Sequence, residues 1–201
     1  MPVDAAILAG GQARRFGGHD KSALLLDGLS ILDRQLSVLG EVADRVVVIG
    51  GAAGPRSRAA GLEVISDLVP GAGALGGLYT ALSAARSPHA LVLACDLPFV
   101  SRVFLRYLAA LAGPAHDAVV PRSRDGLQPL CAVYDRRLAA VLGERIASGR
   151  LKVADALAGL RVREVGPAEI ASVDPDEKLF LNVNAPADLD HAIRLLHNTP
   201  R

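Results

Sequence analysis

Residues 8–22 read LAGGQARRFGGHDKS, from Leu8 to Ser22, and place four glycines, two arginines and one lysine directly after an apolar run near the start of the chain. A Walker-type nucleotide loop needs a glycine immediately before its lysine, in the pattern G-x-x-x-x-G-K-[ST], and Asp20 stands in that place. The stretch is therefore read on its own terms. Asp4–Leu8 reads as a buried strand, and the loop leaves its end. Gly10 and Gly11 keep backbone N–H groups clear for phosphate oxygens, while Arg15 and Lys21 supply charge-assisted contacts. Arg14 faces solvent on this reading. The plain alternative is a glycine-rich turn with surface bases. Against it stand the coupling to a strand and the rarity of lysine, since Lys21, Lys152 and Lys178 are the only three among 22 basic residues.

Outward from this loop, short apolar runs alternate with longer periodic segments. Arg45–Ile49 (RVVVI), Leu62–Ser66, His89–Ala94 (HALVLA), Ala118–Val120 and Leu130–Tyr134 read as strands. Ser30–Gly40 reads as a helix with Ile31, Leu32, Leu36 and Leu39 on one face. Further helices are expected over Gly77–Ala85, from a Ser101 cap to Leu111, over Asp135–Ile146, and from Pro186 in a first turn to His197. Strand-helix alternation at this spacing predicts an α/β fold, a single-domain Rossmann-like three-layer sandwich with a mostly parallel central sheet, over residues 1–201. A ligand then belongs at the carboxyl ends of the strands.

Composition bounds the function. At 201 residues, with 51% hydrophobic and 21% charged residues, the chain has the balance of a folded soluble protein. A formal net charge of +1 gives no bulk attraction to nucleic acid or to an anionic membrane, so any anion is bound by a local cluster. No stretch approaches the roughly 20 apolar residues of a membrane span. The Met1-Pro2-Val3-Asp4 start lacks the positive region of a secretory signal, and a cytoplasmic location is expected. Cys95 and Cys131, far apart and outside any C-x-x-C or Cys/His cluster, read as reduced thiols on strands.

Gly71-Ala72-Gly73-Ala74-Leu75-Gly76 matches G-x-G-x-x-G letter for letter. A dinucleotide fingerprint needs the strand to run straight into its first glycine, and here Asp67-Leu68-Val69-Pro70 intervenes. The stretch is instead expected to be a turn that lets backbone approach a base or sugar, followed by a tightly packed helix. Asp96, where LVLACDLPF leaves its apolar run, suits an oxygen-seeking cation that carries a nucleotide phosphate, or reads as a helix-capping or turn Asp. Asp67 ends the preceding strand in the same manner and reads either as a contact to a base edge or the ribose hydroxyls, or as a turn residue. The five histidines show no metal-ligand spacing, and no nucleophile elbow exists. The chemistry implied is transfer at phosphorus.

Leu8-Ala9-Gly10-Gly11 with Arg15-Phe16-Gly17-Gly18-His19-Asp20-Lys21 resembles the LAGGxSxRMGGxDK signature of the molybdenum cofactor guanylyltransferases, MobA-like members of the nucleotidyltransferase superfamily. SDLVPGAGALGGL (Ser66–Leu78), CDLPF (Cys95–Phe99), QPLCAVY (Gln128–Tyr134) and FLNVNAPADL (Phe180–Leu189) extend the likeness over nearly the whole chain. The resemblance implies transfer of GMP from GTP to molybdenum-bearing molybdopterin, with release of pyrophosphate and Mg²⁺ as cofactor. It implies nucleotide contacts from the Leu8, Ala9, Gly10 and Gly11 backbone, Lys21, Asp67 and Asp96. Asp96 would also bind the metal, and Asn182 and Asn184 would lie on the pterin side, unless they are turn residues before the Pro186 helix. Molybdoenzymes or their chaperones would be the partners that receive the product. Three positions depart from the pattern: Ala13 for Ser, Phe16 for Met, and Ile49 for a nucleotide-contacting Asn at the end of the VVV strand, for which backbone groups of Gly50 and Gly51 are the expected substitute.

The attacking group in such a reaction is a phosphate already ionised at neutral pH, so no general base is needed, which agrees with the lack of a His-carboxylate pair. Arg15, Lys21 and Asp96 are then the catalytic candidates, acting by positioning and charge neutralisation. Three rivals remain at this level. A pterin cytidylyltransferase tends to carry LAAG in place of LAGG. A non-catalytic nucleotide-binding module would not need Lys21, Asp67 and Asp96 together. Transfer to another small phosphorylated acceptor would not need the Asn182–Pro186 stretch.

Overall fold

Val3–Leu8 (β1) is buried along its whole length, and the sheet is built around it. The computed structural model of the chain describes residues 2–9, 23–50 and 61–197. The remaining strands are β2 (Leu25–Leu26), β3 (Leu29–Ser30), β4 (Arg45–Ile49), β5 (Glu63–Ile65), β6 (His89–Ala94), β7 (Ala118–Ser123), β8 (Gly126–Leu127), β9 (Cys131–Asp135) and β10 (Val162–Val165). The main sheet runs β10-β7-β9-β6-β1-β4-β5, with β8 paired to β7 and β2-β3 forming a separate hairpin. β1 is parallel to both neighbours, with Ala6 opposite Val47 of β4 and Val92 of β6.

The sheet is mostly parallel, as expected, with β9 running against β6 and β7. Its reversal has a simple cause. β7 reaches β9 through the tight β8 hairpin and no crossover helix, whereas a parallel return needs roughly a dozen residues or more.

Side-chain alternation along β1 feeds two cores. Ala5 and Ile7 pack with Val48, Leu91 and Leu93 on one face, Ala6 and Leu8 with Val47, Ile49 and Val92 on the other. Helices α1 (Ile31–Leu39), α3 (Arg102–Leu111) and α6 (Pro167–Val173) cover the first face. Helices α2 (Gly73–Ala84), α4 (Leu138–Ala147) and the short α5 (Val153–Ala156) cover the second. The last helix, α7 (Pro186–His197), packs through Ala192, Leu189 and Ile193 onto a third, smaller core.

Local chemistry sets the ends. Ser30 caps α1 by accepting from Asp33 N–H, and Asp33 answers by accepting from Ser30 N–H. Ser101 caps α3 through Phe104 N–H, as its position predicts. α2 starts four residues earlier than its apolar pattern suggests, because packing and not propensity governs there. A Cβ on Gly76 would lie 3.1 Å from the Val69 carbonyl, and one on Gly77 would meet the Leu8 side chain at 3.4 Å. Asp4 is buried within β1, yet accepts from Arg86 N–H at 2.6 Å and from the Ser87 hydroxyl at 2.8 Å. Burial alone would raise its pKa; these donors and the Arg45 charge hold it below the usual carboxylate value.

Glu169 joins three elements at the β10 side of the sheet. It accepts from Arg163 of β10, from the Tyr107 hydroxyl of α3 and from the Gly166 N–H that precedes α6. The Arg163 bond, then those from Tyr107 and Gly166, lower its pKa to about 2. A lowered carboxylate pKa contributes stability that is full above the unfolded value of 4.5 and is lost as pH falls through about 2. Glu169→Gln should lower the melting temperature at pH 7 and flatten the loss of stability between pH 4.5 and 2, as measured by thermal unfolding across that range.

Candidate active site

The carboxyl ends of β5, β4, β1 and β6 stand side by side, held level by backbone bonds just past the strands. Gly50 N–H donates to Ile65 O at 2.9 Å, Ala9 N–H to Ile49 O at 2.9 Å, Cys95 N–H to Leu8 O at 3.3 Å and Ala94 N–H to Leu130 O at 2.7 Å. The chain leaves β1 at Ala9, in the middle of this row. Gly10, Gly11, Arg15 and Lys21 lie outside the described residues, as does Gly51. Leu8 and Ala9 are described and buried on opposite faces of the sheet. With Ala9 N–H and Leu8 C=O already engaged, their contribution is to fix the level at which the glycines depart.

The loop returns at Ala23, and its return is anchored. β2 and β3 form a two-residue hairpin across Asp27 and Gly28, both at positive φ (51° and 80°), the requirement of a type I′ turn. Leu24 O accepts from Ile31 N–H, and Arg34 donates to Leu26 O. Leu24, Leu26 and Ile31 then pack with Phe99, Leu181, Val183 and α7 in the third core. The end of the glycine loop, the turn after β6 and the C-terminal segment are thereby gathered by one small apolar cluster.

Asp96 sits half-buried in the turn after β6. Its carbonyl accepts from Val183 N–H at 2.9 Å, which sets Asn182 and Asn184 beside it in the chain on either side of Val183. Asn182 is exposed and Asn184 half-buried. Asp188 accepts from Asn184 N–H and Ala185 N–H, both at 2.8 Å, and turns the chain into α7 with Pro186 as its first residue. Beyond Phe180 and Leu181 opens a cavity of about 270 Å³, lined also by Ser123, Asp125, Ile170 and Asp174.

Asp67, also half-buried, follows β5 at the sheet margin. Three strand spacings separate the ends of β5 and β6, so the two carboxylate turns are about 14 Å apart across the row. Thr80 of α2, fully buried, accepts from Leu68 N–H at 3.0 Å and donates to Gly76 O at 2.8 Å. That bond fixes the backbone next to Asp67. The Gly71–Gly76 stretch is a turn into a closely packed helix, and Ser66–Pro70 separate it from its strand, unlike a dinucleotide fingerprint.

Two expectations are refined. Ile49 is buried in the core and Gly50 N–H is engaged by Ile65 O, so that N–H does not replace the missing Asn. Cys131 opens β9 and is fully buried, which pushes its thiol up to about 12, whereas Cys95 lies in the turn after β6 and is half-buried. Among the described residues no group of three or more His, Cys, Asp or Glu side chains could hold a metal. Among those residues, too, no helix is long and apolar enough to cross a membrane.

Gln35 and Thr80 were not singled out by motif. Their signal is weaker: each is a polar residue on a stripe otherwise buried and apolar, Gln35 between Ile31 and Leu39, Thr80 beside Ala81 and Leu82. Both act on backbone, which leaves no fingerprint in side-chain spacing.

The profile of the MobA-like NTP transferase domain family matches residues 5–163. A molybdenum cofactor guanylyltransferase of Desulfosudis oleivorans is 34% identical over 191 residues, 94% of each chain. A probable molybdenum cofactor guanylyltransferase of Pelotomaculum thermopropionicum is 35% identical and covers 99% of this chain and 96% of its own. Among solved structures, the molybdopterin-guanine dinucleotide biosynthesis protein A of Archaeoglobus fulgidus superposes with a TM-score of 0.81 at 27% identity, covering 98% of this chain and all of its own.

Thr80→Val keeps the shape and removes the acceptor for Leu68 N–H, so it should destabilise the protein by about 1–3 kcal/mol in urea unfolding, while Thr80→Ser retains most of the stability.

Proposed function

The chain belongs to the MobA-like NTP transferase family, and from that membership we propose that it transfers GMP from GTP to molybdenum-bearing molybdopterin, releasing pyrophosphate. The observation that carries this reading is the Val183 N–H bond to the Asp96 carbonyl. It joins the carboxylate at the end of β6 to the Asn182–Pro186 stretch, the part of the chain that transfer to other small phosphorylated acceptors would not need. The cavity beyond Phe180 and Leu181 offers room on that side. Full-length similarity to relatives named for this activity supports the same substrates.

In the reaction, an oxygen of the terminal phosphate of molybdopterin attacks the α-phosphorus of GTP. The bond from that phosphorus to the bridging oxygen breaks, and the electron pair leaves with pyrophosphate. The nucleophile is already ionised, so no side chain has to remove a proton. What the protein contributes is alignment and compensation of charge.

The row of strand ends gives a line along which the nucleotide lies. Asp67 at the margin takes the guanosine end, and the Gly10–Gly11 backbone with Lys21 takes the triphosphate. Arg15 and Lys21 offset the charge that builds on pyrophosphate. Asp96 would hold Mg²⁺, and the ion would supply Lewis-acid neutralisation of the phosphate charge. A half-buried carboxylate is a hard oxygen donor suited to that ion. Asn182 and Asn184 orient the pterin partner.

Incubation with each of the four NTPs, Mg²⁺ and molybdopterin should release pyrophosphate with GTP alone. Turnover with CTP in its place would instead make the protein a pterin cytidylyltransferase. Asp96→Ala should reduce kcat by about 10²–10³-fold, the loss typical for one electrostatic contact, with the circular dichroism of the folded protein unchanged. Turnover at the original rate would remove Asp96 from the site.

A further inference from the structure

The turn that carries Asp96 is gripped from below by one buried side chain. Gln35 lies on the core stripe of α1 with no exposed surface. Its Nε2 is 2.8 Å from the Ala94 carbonyl and 3.0 Å from the Leu97 carbonyl. Both acceptors are backbone oxygens, so only the NH₂ end of the amide can serve them, and the orientation of the side chain is decided by chemistry. Its two hydrogens close the turn at both ends, with Cys95 and Asp96 between them.

We infer that Gln35 is a positioning residue for the transfer reaction, setting the backbone conformation from which the Asp96 carboxylate is presented. The inference rests on the reading of Asp96 as the residue that holds the metal and phosphates. The neighbouring bonds show how fully the turn is defined. Ala94 N–H is held by Leu130, Cys95 N–H by Leu8 and the Asp96 carbonyl by Val183, so Gln35 supplies the contacts these three leave out.

Stability alone does not account for a glutamine there. Ile31, Leu32 and Leu39 make the rest of the stripe, and a leucine would complete it with more apolar burial. Gln35 instead buries a polar amide whose Oε1 has no partner among the described residues, an arrangement that burdens folding. Local rules are broken in this way mainly where a site requires it. The helix that carries Gln35 also begins directly after the β2-β3 hairpin, so the same element is tied to the returning end of the glycine loop. One helix thus holds both the β2-β3 hairpin and the carboxylate turn.

Gln35→Met fills the space and donates nothing. Its kcat for GMP transfer should fall about 10–100-fold and the Mg²⁺ concentration for half-maximal rate should rise by a similar factor, the range found when an outer partner of a metal ligand is removed. KM for GTP should rise by less than the Mg²⁺ requirement, since Asp67 is untouched and Asp96 is only one of the nucleotide contacts. A role in stability alone would lower the melting temperature and the active fraction but leave the Mg²⁺ dependence of the active molecules where it was.

Gln35→Glu gives an independent measure. The neutral acid can donate to one carbonyl and the ionised form to neither, so kcat should acquire a new fall with rising pH, read over the range in which circular dichroism shows the variant folded. If Gln35→Met proves too unstable to assay, this profile decides, and a flat profile at the original kcat overturns the inference. Folded Gln35→Met with original kcat and Mg²⁺ dependence overturns it equally. Asp96→Ala, assayed in parallel, separates the two claims: if it is inactive while the Gln35 variants are unaffected, the positioning role fails alone. If it is fully active, the reading of Asp96 fails first.

Discussion

β1 is buried on both faces, and that constraint organises the molecule. A strand in this position can bring no polar side chain into the site from its interior, so whatever it contributes must leave from its end. Ala5, Ala6, Ile7 and Leu8 divide between two cores, and Asp4 is tolerated only because backbone and side-chain donors surround its carboxylate. With β4 and β6 locked in parallel register on either side, β1 ends at a defined height between two other strand ends. The chemistry then gathers where parallel strands stop, as in open α/β sheets generally.

The third core matters because it collects pieces remote in sequence. Leu24 and Leu26 come from the hairpin after the loop, Phe99 from the turn after Asp96, Leu181 and Val183 from the asparagine-bearing segment. None of these elements is long, and β2 and β3 are two residues each. Burial of their few apolar side chains against α7 is what holds them in one place. The asparagines are therefore kept near Asp96 by hydrophobic packing beside them as well as by the Val183 bond.

Much of this was legible in the residues. Arg45–Ile49 and His89–Ala94 are strands end to end as their β-branched and apolar runs imply, and α3 and α7 begin where Ser101 and Pro186 require. Asp67 and Asp96 stood out because a phosphate site needs hard oxygen donors at strand ends, whereas Asn182 and Asn184 stood out only through the family resemblance. Other features left weaker traces. The Asp27-Gly28 turn is a strong hairpin signal, but two-residue strands offer no period to accompany it. β10 is a short strand at the sheet margin whose two central residues are both charged, so it lacks alternation, and β9 reverses direction for a reason that lies in its connection and not in its own residues. Gln35 and Thr80 were hidden because their partners are carbonyls and N–H groups, which every residue possesses.

Those two side chains reach the site from opposite sides of the sheet. Gln35 belongs to a helix on the face of Ile7, Thr80 to a helix on the face of Leu8. Each fastens one carboxylate turn, Asp96 at one end of the row and Asp67 at the other. The span between the turns runs along the sheet across three strand spacings, and its two ends are fastened to helices on different faces. Their separation is thus set by strand pairing, while each turn is held by a helix layer that packs independently of the other.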